Sequence, residues 1–141
     1  MSRERFDEAD VVIVGAGPAG LSAAVRLRQR GVDRVMVLDR EPQAGGIPRH
    51  CGHYPYGVRE FGRLMKGPAY AARNVAEARS AGVEIITGAT VTALGEGPEL
   101  AISTADGVFS IRPARVLLCT GVRETSRAQR PIGGSKPAGV I

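Results

Sequence analysis

With 141 residues, 43% hydrophobic and 4% aromatic side chains and 19 glycines, the chain has the make-up of one ordinary α/β domain, and not of a disordered or disulphide-rich protein. Its net charge of +5 comes from 17 arginines and two lysines, Lys66 and Lys136; they are spread along the sequence without the basic patch and interleaved aromatics of a nucleic-acid binder, yet they suit an anionic small ligand. No apolar run approaches the ~20 residues of a membrane span, the charged start MSRERFDEAD lacks a signal peptide's apolar middle, and Cys51 and Cys119 lie far apart as thiols, so a cytoplasmic protein is expected.

Val11 to Val14 is a short continuous apolar run, the pattern of a parallel strand covered on both faces. Glycines follow at once. From Pro18 onward Leu21, Ala24, Val25 and Leu27 recur at near-helical spacing opposite Arg26, Arg28 and Arg30, with Gly31 as the stop. RVMVLD at 34–39 is a second buried strand and completes a βαβ unit in about 30 residues. Residues 40–57 hold four glycines and three prolines without periodicity and read as a loop, of a length that is usually functional or disordered. Residues 58–81 return to helical character, split at Gly67-Pro68, the second piece placing Ala69, Ala72, Val75 and Ala76 on one face. VEIITG at 83–88 is the third parallel strand.

The period then changes. TVTALG, ELAIST and VFSIR, separated by turn residues Gly95 to Pro98 and Ala105 to Gly107, predict a three-stranded antiparallel meander over about 90–113. RVLLCTG at 115–121 is again continuous and apolar, a buried strand ending in glycine, with Cys119 as a small core hydrophobe. The remainder, 122–141, has no pattern and reads as a loop or tail leading toward a further domain.

Gly15, Gly17 and Gly20 match G-x-G-x-x-G directly after a strand and at the start of a helix. The first permits the tight turn, the second lets a pyrophosphate approach the backbone, and the third lets helix pack on strand. The helix N-terminus adds unpaired N–H groups and the positive end of its dipole. By itself such a pattern is also a plain strand-to-helix turn. Here Asp39 follows Gly20 by 19 residues at the end of the second strand, where a carboxylate accepts ribose hydroxyls. That carboxylate disfavours a 2′-phosphate, although the adjacent Arg40 softens the argument. The reading is dinucleotide binding.

Three stretches extend this to a family. GAGPAGLSAA carries Ala24 four residues after Gly20, DREPQAGG places Gly45-Gly46 shortly after Asp39, and RVLLCTG ends a late strand in Cys-Thr-Gly after a meander. In that order they resemble the N-terminal part of the two-dinucleotide-binding-domain flavoproteins, the group that includes the pyridine nucleotide-disulphide oxidoreductases. The resemblance implies FAD as cofactor, held by Gly15, Gly17, Pro18, Ala19, Gly20, Asp39, Arg40, Gly45, Gly46, Thr120 and Gly121, with Val91 offering backbone groups to the adenine. It implies a hydride donor, NAD(P)H or a small amine or hydroxy substrate, and a partner subunit. The stretches GGIPRHCGHYPYGVREFGRLMKGPAY and GVRETSRAQRPIGGSKPAGVI are further similar to subunits of the opine-oxidase and hydrogen-cyanide-synthase kind.

His50, Cys51 and His53 form the reactive-looking cluster. No second cysteine occurs in 52–58, so dithiol redox chemistry is not expected, and three ligands crowded into four residues do not make a closed zinc site; no metal is expected. His50 and His53 are the candidates for a place near a substrate, against the simpler reading of a polar loop. Arg123, after the Thr-Gly pair, is either a diphosphate contact or a surface cation. The fold expected is α/β, a Rossmann-like parallel sheet with helices on both faces and a three-stranded antiparallel meander. The family's second glycine-rich βαβ unit and late Gly-Asp segment are not found, so the fold is expected to be incomplete, with an FAD-binding domain over 1–121. The function expected is the FAD-binding portion of a flavin-dependent oxidoreductase; the alternative is a non-catalytic NAD- or nucleotide-binding module.

Overall fold

The computed structural model describes residues 9–122. Four parallel strands, β1 (Val11–Val14), β2 (Val35–Asp39), β3 (Glu84–Thr87) and β7 (Arg115–Leu118), form one sheet in the order β3-β2-β1-β7. β1 is central, with Val11 opposite Val35 on one side and Arg115 on the other. Helix α1 (Pro18–Gln29) connects β1 to β2; a short helix α2 (Val58–Phe61) and a longer α3 (Gly67–Ser80) connect β2 to β3. Strands β4 (Thr90–Leu94), β5 (Leu100–Thr104) and β6 (Gly107–Ile111) make a separate antiparallel sheet in that order.

Because successive strand residues point to opposite faces, each parallel strand serves two cores. Val12, Met36, Leu38 and Ile86 pack against Leu100, Ile102 and Ile111 of the meander. Ile13, Val35 and Val37 pack against Leu21, Ala24 and Val25 of α1 and Ala78 of α3. The sheet therefore carries its helices on one face and the meander on the other, where a second helical layer was expected. The meander substitutes for helices because the inward residues of β5, Leu100 and Ile102, are fully buried and supply an apolar face of the same kind; each fully buried Leu or Ile is worth about 1.5–3 kcal/mol.

Three other expectations are corrected. The inward face of α3 is Tyr70, Ala71, Asn74 and Ala78, whereas Ala69, Ala72 and Ala76 face solvent. Alanine fits either environment, and burial of Asn74 is satisfied locally by donation from its Nδ2 to the Tyr70 carbonyl at 2.9 Å. β7 is an outer strand, not a buried one: Leu117 is 40% and Leu118 59% exposed, since β1 covers one edge of it and no described strand covers the other. Cys119 lies just past β7, half-buried against the α1 side of the sheet. Within the long loop, Ile47–His50 forms a single 3₁₀ turn. The stretch 123–141, with Arg123, lies outside the described residues. No helix among the described residues is long and apolar enough to cross a membrane.

Arg28 clasps the ends of three elements. Its Nε donates to the Ala81 carbonyl after α3 at 3.0 Å and its Nη1 to the Val32 carbonyl at 2.7 Å, with Asp33 O also in contact. Replacing it with methionine keeps the stem and strands these carbonyls. We expect Arg28→Met to lower stability by about 1–2 kcal/mol, read as a shift of the urea midpoint at constant slope; an unmoved midpoint refutes the clasp.

Candidate functional site

The C-terminal ends of β1, β2 and β7 come together with the start of α1, the place where open parallel sheets hold ligands. Gly15 turns the chain out of β1 at φ +108°, its N–H donating to Leu38 O at 2.7 Å. A Cβ at Gly15 would sit 2.2 Å from the Cys119 carbonyl oxygen, so β7 crosses directly over this turn. A Cβ at Gly20 would sit 2.0 Å from the Gly15 carbonyl, so the third glycine lets α1 close on the strand. Gly17 differs: a Cβ there would meet nothing nearer than the Gly46 Cα at 4.0 Å. It is therefore free of steric demand from the protein itself.

Gly17 is also the N-cap of α1, with no side-chain cap, Pro18 in the first turn and no acidic residue there. Helix N-termini leave N–H groups without intrahelical partners, and here they open onto the space beside Gly17. The second loop closes the other side. Gly45 donates to Ala16 O at 2.8 Å, and Gly46, at φ +65°, is so near that a Cβ would lie 2.8 Å from the Gly17 Cα. Two glycine turns thus pack directly on each other, backbone to backbone, beside the start of α1. An uncapped, positively polarised end and a Cβ-free wall fit the diphosphate of a dinucleotide.

Asp39 locks this arrangement. It is 9% exposed; its Oδ2 accepts the Ala16 N–H at 2.6 Å and its Oδ1 the Glu41 N–H at 2.9 Å. The carboxylate expected for ribose thus also ties the end of β2 to the glycine turn, a role sequence spacing did not reveal. Its own carbonyl accepts the Ala89 N–H at 2.9 Å, which brings the start of β4, and Val91 on it, to the same end of the sheet. Arg40 is exposed and pairs loosely with Glu41 at 3.7 Å. Thr120 and Gly121 are exposed just after β7, the Thr120 nitrogen close to Gly15.

The histidines stand apart. His50 and His53 are exposed; the His53 ring lies 6.2 Å from that of Tyr56. Tyr56 stacks on Tyr70 at 5.2 Å, and Phe61 meets Tyr70 edge-on at 5.8 Å, so residues 53–70 form a small aromatic cluster against α3. The Tyr56 phenol is held above its usual range first by a hydrogen bond with Cys51, and that of Tyr70 first by burial. Cys51 and Cys119 are free thiols, and burial pushes the Cys119 thiol up, away from the nucleophilic thiolate. Among the described residues no three His, Cys, Asp or Glu side chains gather where a metal could bind. One further residue escaped the sequence reading: Arg49, whose Nε is buried without a hydrogen-bond partner. As one of 17 arginines it carried no distinguishing signal.

The Pyridine nucleotide-disulphide oxidoreductase family model matches residues 9–139. The glutamate synthase (NADPH) small chain of Cereibacter sphaeroides is 35% identical over 131 residues, covering 93% of this chain and 27% of that protein. The mitochondrial electron transfer flavoprotein-ubiquinone oxidoreductase of Homo sapiens is 57% identical over 51 residues, 32% of this chain and 8% of its own length. Among solved structures, a thioredoxin reductase from Gloeobacter violaceus superposes with a TM-score of 0.66 at 28% identity, over 87% of this chain and 38% of its own. The chain thus spans well under half the length of each of these proteins. Since the match runs through the facing glycine turns, Asp39 and β7 without a break, the chain belongs to the pyridine nucleotide-disulphide oxidoreductase family.

Proposed function

We propose that the chain is the FAD-binding portion of a flavin-dependent oxidoreductase. The observation that carries this is the pair of glycine turns, Gly17 packed against Gly46, at the uncapped start of α1. FAD bound there supplies a two-electron hydride acceptor to the reaction, whose donor is NAD(P)H or a small amine or hydroxy substrate and whose remaining machinery includes a partner subunit. The N–H groups of Gly17, Ala19 and Gly20 hold the diphosphate, Pro18 having none to give. Gly45 and Gly46 close over it. Each Asp39 oxygen has a lone pair beyond the one used by Ala16 or Glu41, and these accept ribose hydroxyls. Arg40 borders the ribose, Val91 offers its backbone to the adenine, and Thr120 with Gly121 borders the flavin side. The family resemblance of Gly45-Gly46 and Cys-Thr-Gly favours FAD over NAD, and the Asp39 carboxylate disfavours NADP. No role in the reaction is assigned to His50 or His53.

The test is direct titration of the chain with FAD and, separately, NAD. We expect FAD to bind with quenching of flavin fluorescence and to co-elute as a yellow protein, with NAD binding at least about tenfold weaker, a difference of roughly 1.4 kcal/mol. A colourless chain that FAD does not titrate, or one that prefers NAD, rejects the proposal.

A further inference from the structure

Arg49 sits in the 3₁₀ turn immediately after the second glycine loop, half-buried, its N–H donating to Gly46 O at 3.2 Å. Its stem runs against Gly45: a Cβ on that glycine would lie 3.1 Å from Cγ and 3.2 Å from Cδ of Arg49, and 2.9 Å from the Ala71 Cβ. The stem therefore packs on the bare face of Gly45, while the guanidinium is exposed at its Nη1 and buried at its Nε. Nη1 reaches Gln43 Oε1 at 3.4 Å, a long contact to a neutral group. Nε is buried with no acceptor, and it is the one side-chain nitrogen or oxygen so placed among the described residues.

Nearby carboxylates do not explain this. Asp39 is bound by two backbone N–H groups, and Glu41 faces Arg40. A buried guanidinium donor left without a partner is destabilising, and a cation so placed asks for an acceptor that carries charge. The loop bearing it is bonded to Ala16 and packs on Gly17 and Pro18, so the orphan donor and the uncapped N-terminus of α1 belong to one rigid unit. A planar guanidinium matches phosphate oxygens in pairs.

We propose that Arg49 is a diphosphate-binding residue, which supplies the side-chain positive charge that the backbone cradle lacks. This rests on the dinucleotide reading above. Its removal weakens every ligand carrying the diphosphate, FAD and ADP alike, without loosening the fold.

The experiment titrates the full chain, Arg49→Met and Arg49→Lys with FAD and with ADP at low and at high sodium chloride, alongside urea unfolding without ligand. Methionine keeps the stem against Gly45, and lysine keeps the charge but loses Nε and the fork. We expect Arg49→Met to weaken FAD and ADP by about 10- to 100-fold, to flatten the salt dependence of both, and to leave the urea midpoint unchanged or raised; Arg49→Lys falls between. An Arg49→Met chain that binds both ligands as the wild type does, or loses affinity with an unchanged salt dependence, or loses its urea midpoint in step, overturns the role of Arg49 while the dinucleotide reading stands. A wild-type chain that binds neither ligand overturns both.

Discussion

Alanine at Gly17 is expected to leave the fold intact and to weaken dinucleotide binding severely, whereas alanine at Gly15 or Gly20 is expected to remove a large part of the chain's stability. The three glycines share one motif but answer to different neighbours. At Gly15 a side chain must adopt φ +108° and overlap the Cys119 carbonyl at 2.2 Å; at Gly20 it would overlap the Gly15 carbonyl at 2.0 Å. Neither neighbour is the end of a flexible side chain, so the strand, the turn or the helix has to move. Backbone strain and overpacking of this kind cost about 4–5 kcal/mol, against a stability of ~5–15 kcal/mol for a small domain. At Gly17 the chain is extended, at φ −78°, and a Cβ meets nothing nearer than the Gly46 Cα at 4.0 Å. Stability there should change by no more than about 1 kcal/mol, with the entropy of the unfolded chain favouring alanine. The new methyl instead stands where a diphosphate must approach the backbone, and FAD affinity should fall by at least about 100-fold, roughly 2.7 kcal/mol. Thermal midpoints and FAD titrations of the three variants read both effects. A Gly17→Ala chain that binds FAD normally removes the glycine turn as the cofactor site.

Asparagine at Asp39 should weaken fold and binding together. The carboxylate accepts two backbone N–H groups, one on each oxygen, and asparagine has one oxygen to offer. Its amide would turn donors toward either Ala16 or Glu41, leaving one N–H facing another in a site only 9% exposed. Losing a charge-assisted bond and stranding a buried donor together cost about 2–3 kcal/mol. We expect Asp39→Asn to lose that much in urea without any nucleotide present, and to lose FAD affinity by at least about tenfold, roughly 1.4 kcal/mol. A variant that keeps its midpoint and loses binding alone would mean that Asp39 serves the ligand only and does not hold the glycine turn.

The elements that sequence reading placed well are those whose evidence is local. Val11–Val14, Val35–Asp39 and Glu84–Thr87 announce themselves as continuous apolar runs because both sheet faces are covered. The start of α1 follows from Gly17 and Pro18, and the meander from turn residues at regular intervals. Where the reading went astray, the deciding neighbour was distant in sequence. Leu117 and Leu118 look like core residues, but their exposure depends on β7 standing at the outer end of the sheet. The alanines of α3 carry too little side chain to mark a face, and Tyr70 with the self-satisfied Asn74 took the inward side.

The site divides along the same line. Residue type and spacing by themselves determined that this chain builds a strand, a glycine turn and a helix with an uncapped start, because a tight turn and a close backbone approach can be met only by glycine at set positions. Tertiary structure alone decided that Gly46 packs on Gly17, that Asp39 binds Ala16, and that Arg49 beside Gly45 buries an unpaired donor. The first two of those contacts join segments about 20–30 residues apart, and they depend on where β2 and its loop come to rest beside β1, which no local pattern encodes.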